Sequence, residues 1–558
     1  MPSPAAELQA PHGRPDLREA LSPALRAETL ELHGPVPASL RPVVNEASLR
    51  FVAALTERFE SRRNALLEAR EEYQASMDGG ALPSFDPSTR SVRSSSWRAA
   101  PPPKELHDRR IEITGPTDRK MMINALNSGA QVYMADFEDA HAPAWKLTLE
   151  GQRNLYDAVR GSLEFRSPEG KSYALRSPHA VLMVRPRGWH LDEEGLTFGG
   201  EAVPASLFDF GLYFFANAQA LKAAGSGVYL YLPKLQSGAE AALWNDVLGF
   251  AEESLGLPTG SVRCTVLIET LPALYQMHEI LYALRERVLG VNLGRWDLLF
   301  SFIKTLRAHR DRVLPDRSVL TMDTPFMLEA SRYLVRTCHE RGAQAIGGMA
   351  ADIPVRDDAE LNGEAIARVV HDKERELSHG YDGTWIAHPG LVAVVRRVFD
   401  APRPTPVPSE PGPDPDPRVF LQVPPGRPTV AGMRADVNAA VQYLESWLRA
   451  VGAAAIRYRM EDTATAEICR AQLWQWVHLE VPLEGGTAAT PELFHRVVEE
   501  EMGAIRREVG EERWARGEYG GARKLLEELV DGAELEEFLT LRAGPWLDGS
   551  PLGLGHRT

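Results

Sequence analysis

At 558 residues, with 44% apolar and 25% charged side chains, the chain exceeds what one hydrophobic core supports, roughly 250 to 300 residues. That balance excludes a disordered or fibrous chain and predicts one large domain with smaller attachments. The 77 acidic against 62 basic residues give a formal charge of −15, which repels nucleic acid and anionic lipid, so neither is an expected partner. An anionic substrate would need local arginine or metal.

Three cysteines, Cys264, Cys338 and Cys469, are too few and too scattered for a disulfide framework or a zinc knuckle, which points to a reducing compartment. The first twenty residues lack a basic-then-apolar signal pattern, no window supplies a membrane span, and the terminal HRT is not a peroxisomal address. A cytoplasmic protein is expected, compatible with a monomer or a homo-oligomer.

Residues 1–100 form the first unit, with helical periodicity in LREALSPALRAETLELH and again from Val44 to Met77, ending in the Ser- and Pro-rich SVRSSSWRAAPPP. Over 101–400 the pattern changes to eight short apolar runs separated by helical stretches. They are RIEITG from 110, QVYMADFED from 131, AVLMVRPRG from 180, GVYLYLPKL from 227, TVLIETL from 265, VLGVNLGRWD from 288, AQAIGGM from 343 and GTWIAHPG from 383. Val-, Ile- and Leu-rich runs without polar alternation read as strands covered on both faces, and alternation with helices implies a parallel sheet. Eight such units close a (β/α)8 TIM barrel; a doubly wound sheet is the alternative.

In such a barrel the functional residues sit at the carboxyl ends of the strands. The runs end in Asp136, Glu138 and Asp139, in Arg185 and Arg187, in Lys234, Glu269, Asp297 and Met349, and in Trp385 with His388. Residues 401–425 form a linker with eight prolines between Pro402 and Pro417, which reads as stiff and extended. Residues 426–558 are a separate helical module: one helix repeats Val437, Val441, Leu444 and Leu448, another follows RYRMED, and more helix runs from PELFHRVV onward.

Glu269 and Asp297 lie 28 residues apart, about one strand–helix unit, so they project from neighbouring strands into one mouth. Two hard oxygen donors facing one cavity suit Mg2+; the alternative is that each caps the following helix. Arg185 ends an apolar strand, where it either pairs with an acidic strand end or stabilises an oxyanion. DFED at 136–139 is a crowded acidic turn that favours a neighbouring cation. Asp462 stands at a helix start, where capping and catalysis are both open to it. Cys469 reads as a small core residue.

Together the stretches ITGPTDRKMMINALNSGA from 113, MADFEDAHAPAW from 134, VRPRGWHL from 184, VLIETLPA from 266, LGVNLGRWDLLFSFIKTL from 289, MDTPFM from 322, GGMAADIP from 347 and MEDTATAEICRAQ from 460 resemble the A-type malate synthases. The resemblance implies a TIM barrel with an N-terminal helical clasp and a C-terminal helical plug. It also implies a Mg2+-dependent condensation of acetyl-CoA with glyoxylate, followed by hydrolysis of malyl-CoA to malate and CoA in the glyoxylate cycle. Carried over, Glu269 and Asp297 are metal ligands, Arg185 and Asp462 are catalytic, and Asp136, Glu138 and Asp139 surround metal-bound water. The backbone of Gly294, Arg295 and Trp296 would hold the glyoxylate carboxylate, and Met349 and Trp385 would line the acetyl pocket. The chain departs from the family pattern at Arg285, Glu286, Arg287, Val291 and Leu298, none of them a metal ligand or the base. The competing readings are a malyl-CoA or citramalyl-CoA lyase, which spares the thioester, and a catalytically silent acyl-CoA-binding barrel.

Overall fold

The computed structural model describes residues 30–402 and 412–548. Eight parallel strands close into a barrel: β1 (Ile111–Pro116), β2 (Val132–Asp136), β3 (Val181–Arg185), β4 (Val228–Leu232), β5 (Val262–Ile268), β6 (Val288–Leu293), β7 (Gln344–Ala350) and β8 (Gly383–Ile386). Each pairs with its chain neighbours, and β8 closes on β1 through Thr384 opposite Ile111. All eight runs expected from the sequence are strands, and the doubly wound alternative is excluded by closure.

The amino end of the barrel is plugged by polar side chains that satisfy one another. Buried Arg109 donates to Glu112 at 2.6 Å, Tyr231 at 3.0 Å and Thr265 at 2.8 Å. Trp385 Nε1 donates to Glu112 and Tyr231, so its polar edge belongs to the barrel interior, while its ring lies 5.8 Å from the Arg185 guanidinium.

The Glu46–Asp78 helix starts at Asn45, which accepts from the backbone of Ala47 and Ser48 while the Ser48 hydroxyl accepts from Asn45, a reciprocal cap. Its buried residues Phe51, Val52, Leu55 and Phe59 recur at helical spacing and seat it on the Ala205–Ala223 helix outside the barrel. Phe51 packs on Phe214 and Phe215. The helical expectation over residues 17–33 lies outside the described residues as far as position 29. Beyond that point it is wrong: Leu30–Leu32 is a strand, antiparallel to Asp192–Phe198, and tertiary pairing overrides the local pattern.

The expected extended linker falls partly on residues outside the described range. From Gly412 onward it is docked, because Phe420 and Leu421 are buried, and Phe420 packs edge-on against Phe85 and Tyr275. Asp414 pairs with Arg93.

The helical domain carries the expected helices Val430–Leu448, Thr463–His478 and Pro491–Val509. Besides packing its Thr463–His478 helix on the Arg295–Thr305 helix, it grips the barrel at two strand ends. Thr463 donates to the Asp139 carbonyl through both N–H, at 3.3 Å, and Oγ1, at 3.0 Å, after β2. After β7, the hairpin Ala454–Ile456/Arg459–Glu461 grips residues 351–353 through Met460 N to Ala351 O and Ile353 N to Tyr458 O. The hairpin turns through Arg457 and Tyr458, both left-handed at φ 47° and 63°.

Gly452 brings the backbones of the two units close together, since a β-carbon there would stand 2.5 Å from the His141 carbonyl carbon and 2.6 Å from Ala142 N. Those atoms are backbone and cannot step aside. Gly452→Ala is therefore expected to cost about 1–3 kcal/mol, read as a lower denaturation midpoint, and to lower activity by displacing Asp462. Wild-type stability and rate in that variant would contradict the docking geometry.

Candidate active site

The carboxyl ends of β2 to β6 bring together groups that the sequence disperses over 160 positions. Ligand oxygens of Asp139, Glu269 and Asp297 all lie within 4.8 Å of one another, and all three residues are buried. Three hard donors converge there, and Asp297 Oδ1 is buried without a hydrogen-bond partner, so the donor set fits an oxygen-preferring divalent cation such as Mg2+ or Mn2+. Gly294 makes room for this arrangement: a β-carbon there would meet Glu269 at 2.8 Å.

Lys234, also buried, sits among the same acids. Its Nζ lies 2.9 Å from Asp139, 3.2 Å from Asp297 and 3.5 Å from Glu269, and its N–H donates to Glu269 at 2.8 Å. Its backbone is left-handed, at φ 55°, an uncommon conformation for a non-glycine residue that turns both donors toward the acids. In the sequence Lys234 ends a strand with no evident task, and only the converging strands show its place.

The acidic turn after β2 divides its work. Asp136 accepts both forks of Arg185, at 2.6 Å and 2.5 Å, and receives the backbone N–H of Glu138 and Ala140. Arg185 reaches Asp139 at 2.9 Å with its remaining nitrogen. Glu138 accepts from Gly188 N at 2.5 Å. Asp139 thus lies with Glu269 and Asp297 in the carboxylate cluster, whereas Asp136 and Glu138, expected beside it around metal-bound water, turn to Arg185 and Gly188. The ion-pair reading of Arg185 also holds, because a bidentate carboxylate fixes the plane of its guanidinium.

Burial disfavours the charge on Arg185, but Asp136 and Asp139 outweigh it and hold the group well above its ordinary range. Burial pushes the Asp297 carboxyl well up, opposed by Lys234 and reinforced by Asp139 and Glu269. Burial also drives Glu138 up to about 8. For Asp139 burial is overcome by Lys234 and Arg185, and the net shift is downward.

Asp462 occupies the cap position of the Thr463–His478 helix, yet its side chain makes no capping bond. Half-buried above the cluster, its carboxyl is raised to about 7, first by burial and then by the charge of Asp139. Tyr443 locks the junction, donating to Gly452 O at 2.8 Å and bonding Thr463 Oγ1 at 2.8 Å. Asp462 belongs to the same electrostatic cluster, since its charge also raises Asp297.

Of the expected carboxylate-binding backbone, Gly294 is corrected. Its N–H is spent on Ile268 O at 3.2 Å, continuing the β5–β6 ladder. Arg295 and Trp296 begin the Arg295–Thr305 helix, where first-turn N–H groups have no helical partner, so those two remain available. Arg295 stacks on Trp296 at 3.9 Å, and burial followed by the charge of Arg459 lowers it to about 10. Met349 and Trp296 line one cavity together.

A closed barrel with its charged groups gathered at the carboxyl end, and its other end sealed by a satisfied polar network, marks the chain as a β/α-barrel enzyme, because that end carries the chemistry of such barrels. Family models sharpen the class. "Malate synthase, N-terminal domain" matches residues 29–91, "Malate synthase, TIM barrel domain" 181–407, and "Malate synthase, C-terminal" 427–545. The chain is 49% identical to malate synthase of Myxococcus xanthus over 504 residues, covering 90% of this chain and 93% of that one. It is 47% identical to malate synthase A of Escherichia coli, covering 90% and 95%. With the glyoxysomal malate synthase of Zea mays it shares 46% identity over 92% and 95% of the two chains. The chain belongs to the malate synthase family and is an enzyme of the acyltransferase type.

Proposed function

We propose that this chain condenses the acetyl group of acetyl-CoA with glyoxylate and hydrolyses the product thioester to malate and CoA. The observation that carries the reading is the meeting of two units: an uncapped acid raised to about 7 is held by the helical domain against a barrel mouth bearing a fixed arginine and three converging carboxylates. A thioester α-proton is weakly acidic, and its removal needs a positioned base and stabilisation of the enolate. Asp462 takes the proton from the acetyl methyl group, and Arg185, its plane fixed by Asp136, faces the enolate oxygen. The enolate carbon then attacks the glyoxylate aldehyde carbon, whose oxygen takes up a proton to become the hydroxyl of the malyl thioester; water then adds its hydroxyl to the thioester carbon, and CoA leaves with the proton as the thiol.

Glu269 and Asp297, with Asp139 as third donor, would hold Mg2+, which when bound supplies positive charge beside the aldehyde and carboxylate oxygens of glyoxylate. The N–H groups of Arg295 and Trp296 hold the carboxylate in place. Trp385 and Met349 shape the acetyl pocket, Trp385 by its ring face. A cavity of about 920 Å³ lined by Thr117, Arg119, His141 and Gly452 lies beside the β2 turn and has the size for the thioester carrier. Residues 426–558 act as the plug that delivers the base, and the Glu46–Asp78 helix as the clasp. No described helix is long and apolar enough to cross a membrane; we place the enzyme in the cytoplasm.

The test is release of CoA thiol when acetyl-CoA and glyoxylate are mixed with the protein, with and without EDTA. Thiol release that EDTA abolishes is expected. Condensation without thiol release would instead support the lyase alternative. The same assay gives a pH profile: Asp462 must be ionised to act, so kcat/KM for acetyl-CoA should fall about tenfold per pH unit below about 7 and level off above it. A profile flat from pH 5.5 to 8 would remove Asp462 from the role of base.

A further inference from the structure

A second cavity, of about 490 Å³, lies between the ends of β6 and β7 and the helical domain, and shares no lining residue with the cavity beside the β2 turn. Five arginines and five aspartates line it, so it is neutral by count. The pairing is uneven.

All five carboxylates are engaged. Asp436 accepts from Arg317 at 3.1 Å, Asp352 from Arg368 at 2.9 Å, and Asp316 from Thr429 N and Oγ1 at 2.8 and 2.7 Å. Asp372 holds Lys373 at 2.9 Å and also Arg375, which faces Asp323 at 3.6 Å. Two guanidinium groups are left over. Arg295 makes no hydrogen bond and no close ion pair among the described residues; it stacks on the Trp296 face and feels the charges of Asp372 and Glu461 only through space. Arg459 reaches only Glu461, at 3.8 Å, and its Nε is buried without a partner. Arg295 is half-buried and the Arg459 side chain 39% exposed; both keep their charge at neutral pH, and neither guanidinium is hydrogen-bonded to a carboxylate, so the cavity offers two open forks to an anion.

We propose that Arg295 and Arg459 form a binding site for a small carboxylate, apart from the three clustered carboxylates and within the cavity that Trp296 and Met349 also line. The planar fork of guanidinium matches a carboxylate with two parallel bonds, and Trp296 holds the Arg295 fork flat against the cavity wall. Trp296 is followed directly by Asp297 of the cluster, so a carboxylate seated here stands one residue from the reacting centre. On a chain of charge −15 such a site raises the local concentration of an anionic substrate or delays an anionic product. The identity of the carboxylate, glyoxylate arriving or malate leaving, rests on the proposed function; the site itself does not.

The experiment is calorimetric titration of the full-length protein in EDTA with glyoxylate and, separately, with malate. EDTA removes any metal chelation from the readout. Binding in the millimolar range that weakens with salt is expected for one or both acids, and R295M and R459M should each weaken it at least tenfold while melting normally. Glyoxylate alone would identify an uptake site, malate alone an exit site, and both a shared one. Wild-type affinity in both variants, or no binding without metal, would overturn the proposal. Absence of thiol release from the metal-loaded wild type would defeat the proposed function and leave this titration interpretable.

Discussion

Asp462→Asn is expected to lower turnover by about three orders of magnitude, within the roughly 10²- to 10⁴-fold that a positioned general base supplies. The substitution keeps the shape of the side chain and removes only its capacity to take a proton. It also breaks no capping bond, because Asp462 makes none. A carboxyl raised to about 7 is destabilised by its surroundings when ionised, so above that pH the amide variant should melt no lower than the wild type. The pair of results separates catalysis from folding. A variant that loses rate and stability together would indicate a structural role, and one that keeps full rate would leave Asp462 as an unused cap residue.

Asp297→Asn is the second large effect, and it acts on cation binding. Losing an outer partner of a metal site typically costs about 10- to 100-fold in affinity, and loss of a direct ligand should exceed that. The stability prediction has the opposite sign. Asp139, Glu269 and Asp297 crowd within 4.8 Å around one ammonium, and burial already drives the Asp297 carboxyl upward, so without metal the variant should be at least as stable as the wild type. Mg2+ binds the folded state only, and should raise the melting temperature of the wild type while leaving that of the variant nearly unmoved. An equal rise in both would exclude Asp297 as a ligand.

Much of this was legible in the sequence, and for a physical reason. Strands buried on both faces must be apolar throughout, so VYLYL and VLGVNL stand out locally, and a charge that ends such a run marks the barrel mouth. Glu269, Asp297, Arg185 and Asp136 are found that way. What was not legible depends on orientation and on distant pairing. Asp136 and Asp139 are three residues apart in one acidic turn, yet one holds both forks of Arg185 and the other turns to Lys234 among the converging carboxylates, a difference set only when the strands come together. Lys234 owes its position to a left-handed backbone that no local pattern announces. The Leu30–Leu32 strand exists because Asp192–Phe198 offers an edge far along the chain. Gly294 resembles a substrate-binding amide in sequence, but closing the β5–β6 ladder consumes its N–H and leaves it the task of making space for Glu269.

One diffraction experiment bears on the account most directly: anomalous scattering from crystals of the protein soaked with Mn2+. We predict a single strong peak bonded to carboxylate oxygens of Glu269 and Asp297, with Asp462 facing it from the helical domain. A manganese ion bound elsewhere, or a cluster that stays closed around Lys234 at saturating metal, would contradict it.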